Sequence, residues 1–420
     1  MEEERELIPA SPAAAGEGER IKKRNTAWMT LISVYSMMYF PLGVGPAFAY
    51  TGWVPGLLML TYSAWASYSS GVHLNDLCTK GSGPIADTYP KLARIALGVQ
   101  GERFITATQS GLYFMCGVFN IAYMPANFEQ LFHTGPSTPE DRIGDEKLFV
   151  YLVATWGTMV LGTLLPTYHD TIFIALFSAV VSTMNAALQL LVVGLYQRDL
   201  CGTTQKVSCG SSFIRVVSAL PAISYTFGGH GVFPEEMREM KDPKQFSKIV
   251  RWLYLASLPW YYLCSVVSYY AYGDTIQGNP IANWPQGLWL TKVAAFFSLV
   301  GALVISVTSN QATLMAIDQL DPGLLEKRVS RRQKRFLMKF LFVTCQLLVA
   351  MVLRRTPLQF IQGFMGSFGV GCLTFVFPFV LALATAEGYT PQNVVFCLLG
   401  MLVSLTGIVT SLYNMATVQN

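Results

Sequence analysis

Long uncharged apolar stretches recur along this chain, and each is about as long as a membrane is thick. A hydrocarbon core of about 30 Å takes roughly 20 helical residues to cross. Eleven such stretches can be read, near residues 27–49, 53–77, 103–132, 148–165, 171–196, 213–234, 249–273, 286–315, 336–353, 358–384 and 390–412. Charge is correspondingly scarce. Asp, Glu, Lys and Arg make up 13% of the 420 residues, against roughly 25% in soluble domains. That excludes a cytosolic enzyme, a disordered chain and a small disulfide scaffold. The apolar runs are continuous rather than alternating, which disfavours a β-barrel. The expected fold class is an all-α integral membrane protein with eleven transmembrane helices.

Basic residues set the orientation. With the N-terminus in the cytoplasm, 21 of the 29 Lys and Arg fall on the inner side. They sit in the first tail, in the loops after spans two and six, and in the cluster from Lys327 to Lys339. An odd number of spans then places the C-terminus outside or in a lumen. Residues 1–26 read as a disordered cytoplasmic tail and 413–420 as a short tail. The chain opens Glu2-Glu3-Glu4-Arg5-Glu6, the opposite of a signal peptide. Glu3 followed by Leu7-Ile8 fits an acidic dileucine pattern, a candidate contact for a sorting adaptor; a plain solvated tail fits equally. Plasma, endosomal and vacuolar membranes all stay open. Cys201 and Cys209 share the loop after span five, where a lumenal disulfide and two free thiols are both compatible.

Two spans cannot be regular helices. Span one contains Pro41-Leu42-Gly43-Val44-Gly45-Pro46, and span six contains Gly228-Gly229-His230-Gly231 followed by Pro234. These spans open two successive sets of five, 27–196 and 213–384, leaving 390–412 as an eleventh helix. Because five is odd, the sets are inverted repeats. Interrupted apolar segments at matching places in two halves are the sequence mark of a secondary transporter. Unwound backbone offers N–H groups and helix N-termini to a carboxylate, and carbonyls to a cation, without a fixed charge in lipid. The plainer reading is that Gly and Pro only permit kinks and close packing.

The run Tyr225-Thr226-Phe227-Gly228-Gly229-His230-Gly231-Val232-Phe233-Pro234-Glu235 resembles the sixth helix of the amino acid/auxin permease family, which has Gly-His in this break and Glu five residues on. Phe-Gly-Gly-His is closest to plant auxin influx carriers, as are Met237, Met240, Pro243 and Phe246. Pro166-Thr167-Tyr168-His169-Asp170, Ala271-Tyr272-Gly273-Asp274, Pro46-Ala47-Phe48 and Gly366-Ser367-Phe368-Gly369 with Pro378 are similar to other segments of those carriers. The resemblance implies a leucine-transporter-type 5+5 inverted repeat plus one helix, and proton-coupled symport of amino acids or related small carboxylates. Two departures stand out. The span-one proline is displaced to Gly45-Pro46, and Tyr35, Ser36 and Tyr39 stand where auxin carriers have amides.

The candidate substrate contacts are Tyr35, Ser36, Tyr39, Gly43, Gly45, Asn120, Phe227, Gly228, Gly229, His230 and Ser306. Imidazole titrates near pH 6.5, and an ionisable group at membrane depth is a functional hypothesis by default. His230 is therefore a candidate for the carboxylate contact, the coupling proton, or both; a neutral histidine bonded to a neighbouring helix is the alternative. Glu235 is a candidate proton relay, or else an interfacial charge paired with Arg238 or Lys248. Asp170, with His169, opens span five, where a helix cap is favoured over a proton path or an enzyme's acid–base pair. Asn120 and Tyr123 share a face of span three, as Ser306 and Asn310 do in span eight, with interhelical hydrogen bonding the bland role.

Metal clusters, CxxC pairs and phosphate-binding loops do not occur in the sequence. An enzyme and ATP-driven transport are therefore disfavoured. The basic run Arg328–Arg335 reads as a topology signal and a contact for anionic lipid, not for nucleic acid. The expected partners are a small-molecule substrate and membrane lipid, with the protein a monomer. No cofactor is expected: a proton gradient drives transport, with sodium open. Auxin influx is the runner-up, and a nutrient sensor a more distant class.

Overall fold

The computed structural model describes residues 25–79, 88–132, 143–162, 171–202, 213–319, 331–384 and 389–418. Thr26 starts the first helix: its side chain accepts from the Met29 amide (3.4 Å), satisfying one orphan donor. That helix, α1 (Ala27–Met38), stops because Pro41 can neither donate nor fit a helical turn below it. Phe40, the residue before the proline, is pushed to φ −132°, ψ 66°. A 3₁₀ turn over Pro41–Gly43 leads to α2 (Gly45–Thr51), with Pro46 in its first turn, where proline is tolerated. The two pieces are bent by 44°. Gly52, at φ 72°, ends α2 in a conformation that glycine takes freely.

The chain continues through α3 (Trp53–Thr79), α4 (Tyr89–Phe132), α5 (Asp145–Gly162) and α6 (Thr171–Tyr196). The next helix, α7 (Phe213–Tyr225), ends before Thr226; a 3₁₀ turn over His230–Val232 follows, then α8 (Phe233–Glu239). After it come α9 (Phe246–Tyr272), α10 (Trp289–Gln319) and α11 (Arg331–Val352). The last long segment is α12 (Leu358–Met365), a π-helical stretch over Gly366–Val376 and α13 (Phe377–Leu383), followed by α14 (Pro391–Val418). Among the described residues there is no strand, only an isolated parallel bridge between Asn25 and Met240.

Helix α4 begins well before the expected residue 103. Lys91 and Arg94 made its start look like a loop, but Tyr89, Leu92 and Ala93 are buried, so the segment is amphipathic. Gly98, at φ 69°, joins it to the longer part.

Large apolar side chains are exposed around the bundle, among them Trp28, Trp65, Phe173, Leu195, Trp252 and Leu405. A soluble protein does not expose apolar surface on this scale. Among the described residues, Ala175–Tyr196, Leu358–Leu383 and Pro391–Thr417 are each long and apolar enough to cross a membrane, and the bent pair Ala27–Gly43 with Gly45–Thr51 qualifies as one span. That is fewer than the eleven stretches read from the sequence. Helices such as α3 and α9 bury Ser63, Ser67 and Asn75, or Tyr254, Tyr261 and Ser268, against other helices. Polar groups turned toward protein lower a helix's apolarity without exposing it to lipid.

Glycines let α7, the π-helical stretch and α14 approach backbone to backbone. A Cβ on Gly366 would run into the Pro221 carbonyl, and one on Gly400 into the Phe375 carbonyl. Gly366→Ala should therefore destabilise by about 1–3 kcal/mol through overpacking, read as a lower thermal midpoint in detergent. Gly157→Ala in α5, where nothing stands within 4 Å of the added carbon, should leave the midpoint unchanged or raise it.

Candidate functional site

The two breaks lie against each other. A Cβ on Gly229 would collide with the Met38 side chain, the last residue of α1. Ending a helix orphans its last carbonyls, and here other helices supply the donors. The Tyr261 hydroxyl of α9 reaches both the Met38 carbonyl (2.6 Å) and the Thr226 carbonyl (2.9 Å). Its single proton is shared between them. Gln362 Nε2 of α12, with two protons, donates to the Gly43 carbonyl (3.1 Å) and the Ala222 carbonyl (2.9 Å). Ala222 is available because the Thr226 amide bonds Ile223 instead. Ser67 of α3 donates to the Phe227 carbonyl (3.4 Å), and Gln109 of α4 to the Gly231 carbonyl (2.5 Å).

Donors fare differently. The amides of Val44, Gly229 and Gly231 have no backbone hydrogen bond among the described residues, whereas the Phe40 amide faces the Tyr261 hydroxyl. The paired breaks thus present amides without a backbone partner, beside carbonyls of which Tyr261, Gln362, Ser67 and Gln109 fill six.

Aromatic rings surround them. Tyr35 stacks on Tyr39 (ring centroids 4.4 Å), Tyr39 meets Tyr261 (5.9 Å), and Phe227 meets Tyr261 (5.0 Å). Phe40 packs edge-on to Phe119 and Tyr123. Other expected contacts are engaged elsewhere. Tyr35 pairs with Thr183 of α6 (3.3 Å), and Ser36 donates to the Ser33 carbonyl (2.7 Å). Asn120 donates to Ser306 (2.9 Å), joining α4 to α10, and Asn310 exchanges bonds with Gln346 of α11. Gly45 starts α2 beneath the Ser268 side chain, and Gly228 packs under Val370. His169, Asp170, Cys209 and the Leu7-Ile8 tail lie outside what the structure describes.

His230 is fully buried. Its Nε2 donates to the Ser67 carbonyl (2.9 Å), which places a proton on that nitrogen, and its ring lies 4.2 Å from that of Phe233. Nδ1 makes no well-formed hydrogen bond; the Phe227 carbonyl is the acceptor near it. His230 thus ties the second break to α3, and Tyr35, Tyr39 and Asn120 are not among its partners. Among the described residues, no base forms an ion pair with Glu235. Arg238 pairs with Glu239 (2.9 Å), while Glu235 Oε1 accepts from the Tyr89 amide at the start of α4 (3.3 Å) and from Gln109 (3.4 Å). Gln109 therefore touches both Glu235 and the Gly231 carbonyl of the break.

Tyr261, Gln362, Gln109 and Glu236 escaped the sequence reading. The first three lie in apolar spans without a spacing or motif that marks them. Glu236, which accepts from Ser33 of α1 (2.7 Å), reads in sequence as an ordinary acidic first-turn residue. Among the described residues, no group of three or more His, Cys, Asp or Glu can hold a metal.

A family model described as transmembrane amino acid transporter protein matches residues 23–417. The chain belongs to that family. It is a family of membrane transporters, not of enzymes, and the chain is an integral membrane protein. Amino acid transporter AVT1C of Arabidopsis thaliana is 23% identical over 372 residues, covering 86% of this chain and 64% of that relative. Amino acid transporter AVT1E is 24% identical over 363 residues, covering 84% and 65%. The chain thus spans a little under two thirds of those relatives' lengths. Lysine histidine transporter-like 6, also from Arabidopsis thaliana, is 23% identical over 351 residues, covering 80% and 77%. In fold, the chain is similar to MhsT, solved in complex with L-phenylalanine: TM-score 0.63, 9% identity, 94% of this chain and 98% of that one.

In this family member, Gln362 and Tyr261 hold both breaks at once. Gln362→Leu and Tyr261→Phe should each lower the thermal midpoint, since an orphaned buried carbonyl costs about 1–3 kcal/mol. The double variant should depart from additivity by about 0.5 kcal/mol or more, because both residues restrain the same pair of segments. Additive losses would show that the breaks are held independently.

Proposed function

We propose that the chain is a secondary transporter that carries an amino acid together with a proton. The observation that carries this reading is the group of amides without a backbone partner where the two breaks meet. A carboxylate accepts several N–H bonds at once, and oriented amides bind it without a permanent positive charge in the membrane. On this reading the segments 27–49 and 213–234, with α8, are the broken spans of an eleven-span, inverted-repeat protein. Repeats 27–196 and 213–384 are followed by an extra helix. The N-terminus is cytoplasmic and the C-terminus lies outside or in a lumen. Gly43, Gly45, Gly228 and Gly229 let Phe40, Ser268, Val370 and Met38 close on the backbone of the breaks, and Tyr35, Tyr39, Phe40 and Phe227 wall the substrate side chain. The protein works as a monomer without a cofactor.

Glu235 suits the proton better than His230 does. His230 already spends its Nε2 proton on Ser67. Glu235 has one oxygen on the Tyr89 amide and Gln109, while Oε2 is buried without a partner. Protonating the carboxylate weakens its hold on Gln109. Gln109 also grips the Gly231 carbonyl, so the change reaches the second break directly. Glu236, bonded to Ser33, links the same helix to α1.

Uptake of radiolabelled L-amino acids into proteoliposomes tests the reading, with the membrane potential clamped and sodium absent. One proton per amino acid makes a one-unit pH gradient worth about tenfold in accumulation, because tenfold is about 1.4 kcal/mol. Glu235→Gln should keep binding and exchange but lose that dependence on the gradient. Uptake that needs sodium and ignores pH would replace the proton, and no uptake of any amino acid would remove the transport reading.

A further inference from the structure

Helix α6 carries an unusual inward face. Ser178, Asn185 and Gln189 recur at intervals of seven and four residues, which places them on one side of a helix. They are 1%, 4% and 0% exposed, and each leaves a side-chain oxygen buried without a hydrogen-bond partner. The orientation of Gln189 is fixed by its neighbours. Its Nε2 donates to the Cys264 carbonyl (3.3 Å) and to Ser268 of α9, so Oε1 is the free atom.

This face borders the first break. On one edge Val181 lies against Gly301 of α10, and on the other Gln189 meets α9. Between them the Pro41–Gly43 turn packs on α6. Ser268, the partner of Gln189, stands 2.8 Å from where a Gly45 Cβ would lie. A buried amide oxygen left unpaired costs about 1–3 kcal/mol, and a membrane interior offers no bulk water to relieve it. A donor belongs there. Of the break carbonyls, those of Met38, Gly43, Ala222, Thr226, Phe227 and Gly231 are already filled by Tyr261, Gln362, Ser67 and Gln109.

Resting on the amino acid reading above, we propose that the amide oxygens of Asn185 and Gln189, one helical turn apart, receive the ammonium group of the substrate. The pocket is then two-sided, with amides of the breaks for the carboxylate and oxygens of α6 for the ammonium. It selects zwitterions over plain carboxylates, so indole-3-acetate, which has no amine, is a poor ligand.

Asn185 is the residue to change, because among the described residues it makes no hydrogen bond whose loss would unfold the helix pair. Purified full-length protein is titrated by thermal shift with the twenty L-amino acids. The best binder is then compared with its 2-hydroxy acid, which keeps the carboxylate and side chain and loses the ammonium. Each titration is run in sodium chloride and in N-methylglucamine chloride. In the wild type the hydroxy acid should bind about tenfold more weakly than the amino acid, the loss expected for one hydrogen bond to a charged group. Asn185→Leu should weaken the amino acid by a similar factor and leave the hydroxy acid unchanged; Asn185→Ser, which retains an oxygen, should fall between. Equal weakening of both ligands, or of neither, overturns the proposal. So does an amino acid affinity that needs sodium and loses that need in Asn185→Leu, which would put a metal cation at these oxygens. If none of the twenty amino acids binds the wild type, the amino acid reading itself fails, a result distinct from binding that Asn185 does not influence.

Discussion

A helix interrupted inside a membrane leaves backbone groups that water cannot reach, and the structure is organised around satisfying them. Helix α1 ends at Met38 and α7 at Tyr225. Each end releases carbonyls, and an unpaired carbonyl in a dry interior is costly. Four other helices donate to them, through Ser67, Gln109, Tyr261 and Gln362. Two of these side chains serve both breaks. The position of one break therefore depends on the other, and both depend on α9 and α12.

That dependence bears on how a site of this kind works. Alternating access requires elements on the two sides of a bound solute to move in concert. A single amide on Gln362 and a single hydroxyl on Tyr261 make the breaks one mechanical unit. The start of α1 and the end of α8 are stitched as well. The Asn25 amide bonds the Glu239 carbonyl (2.6 Å), the Lys241 amide bonds the Asn25 carbonyl (3.0 Å), and Ser33 bonds Glu236. Carboxylates Glu235 and Glu236 thus sit where α1, α4 and α8 meet, so a change in their protonation acts on contacts between moving parts.

The interruptions were legible in the sequence because proline and glycine act locally. Pro41 stops α1 whatever surrounds it, and the Gly228-Gly229 pair permits the close approach to Met38 and Val370. What fills the breaks was not legible. Gln362 lies more than three hundred residues from Gly43, and nothing near it in sequence says that its amide will cap two carbonyls. His230 was legible as a buried ionisable group, but its bond to the Ser67 carbonyl depends on how α3 packs. The early start of α4 was hidden by Lys91 and Arg94, whose exposed positions alternate with the buried Tyr89, Leu92 and Ala93. The π-helical stretch Gly366–Val376 was hidden because its glycines answer to α7, α4 and α14 rather than to their own neighbours.

The central claim is that amides of both breaks hold the substrate carboxylate. A structure determined with a bound amino acid tests it most directly, through the distances from the carboxylate oxygens to the Val44, Gly229 and Gly231 nitrogens. The expected result is hydrogen bonds of about 2.7–3.2 Å to at least one amide from each break. A carboxylate seated instead on the His230 ring, or bound by a single break alone, would contradict it.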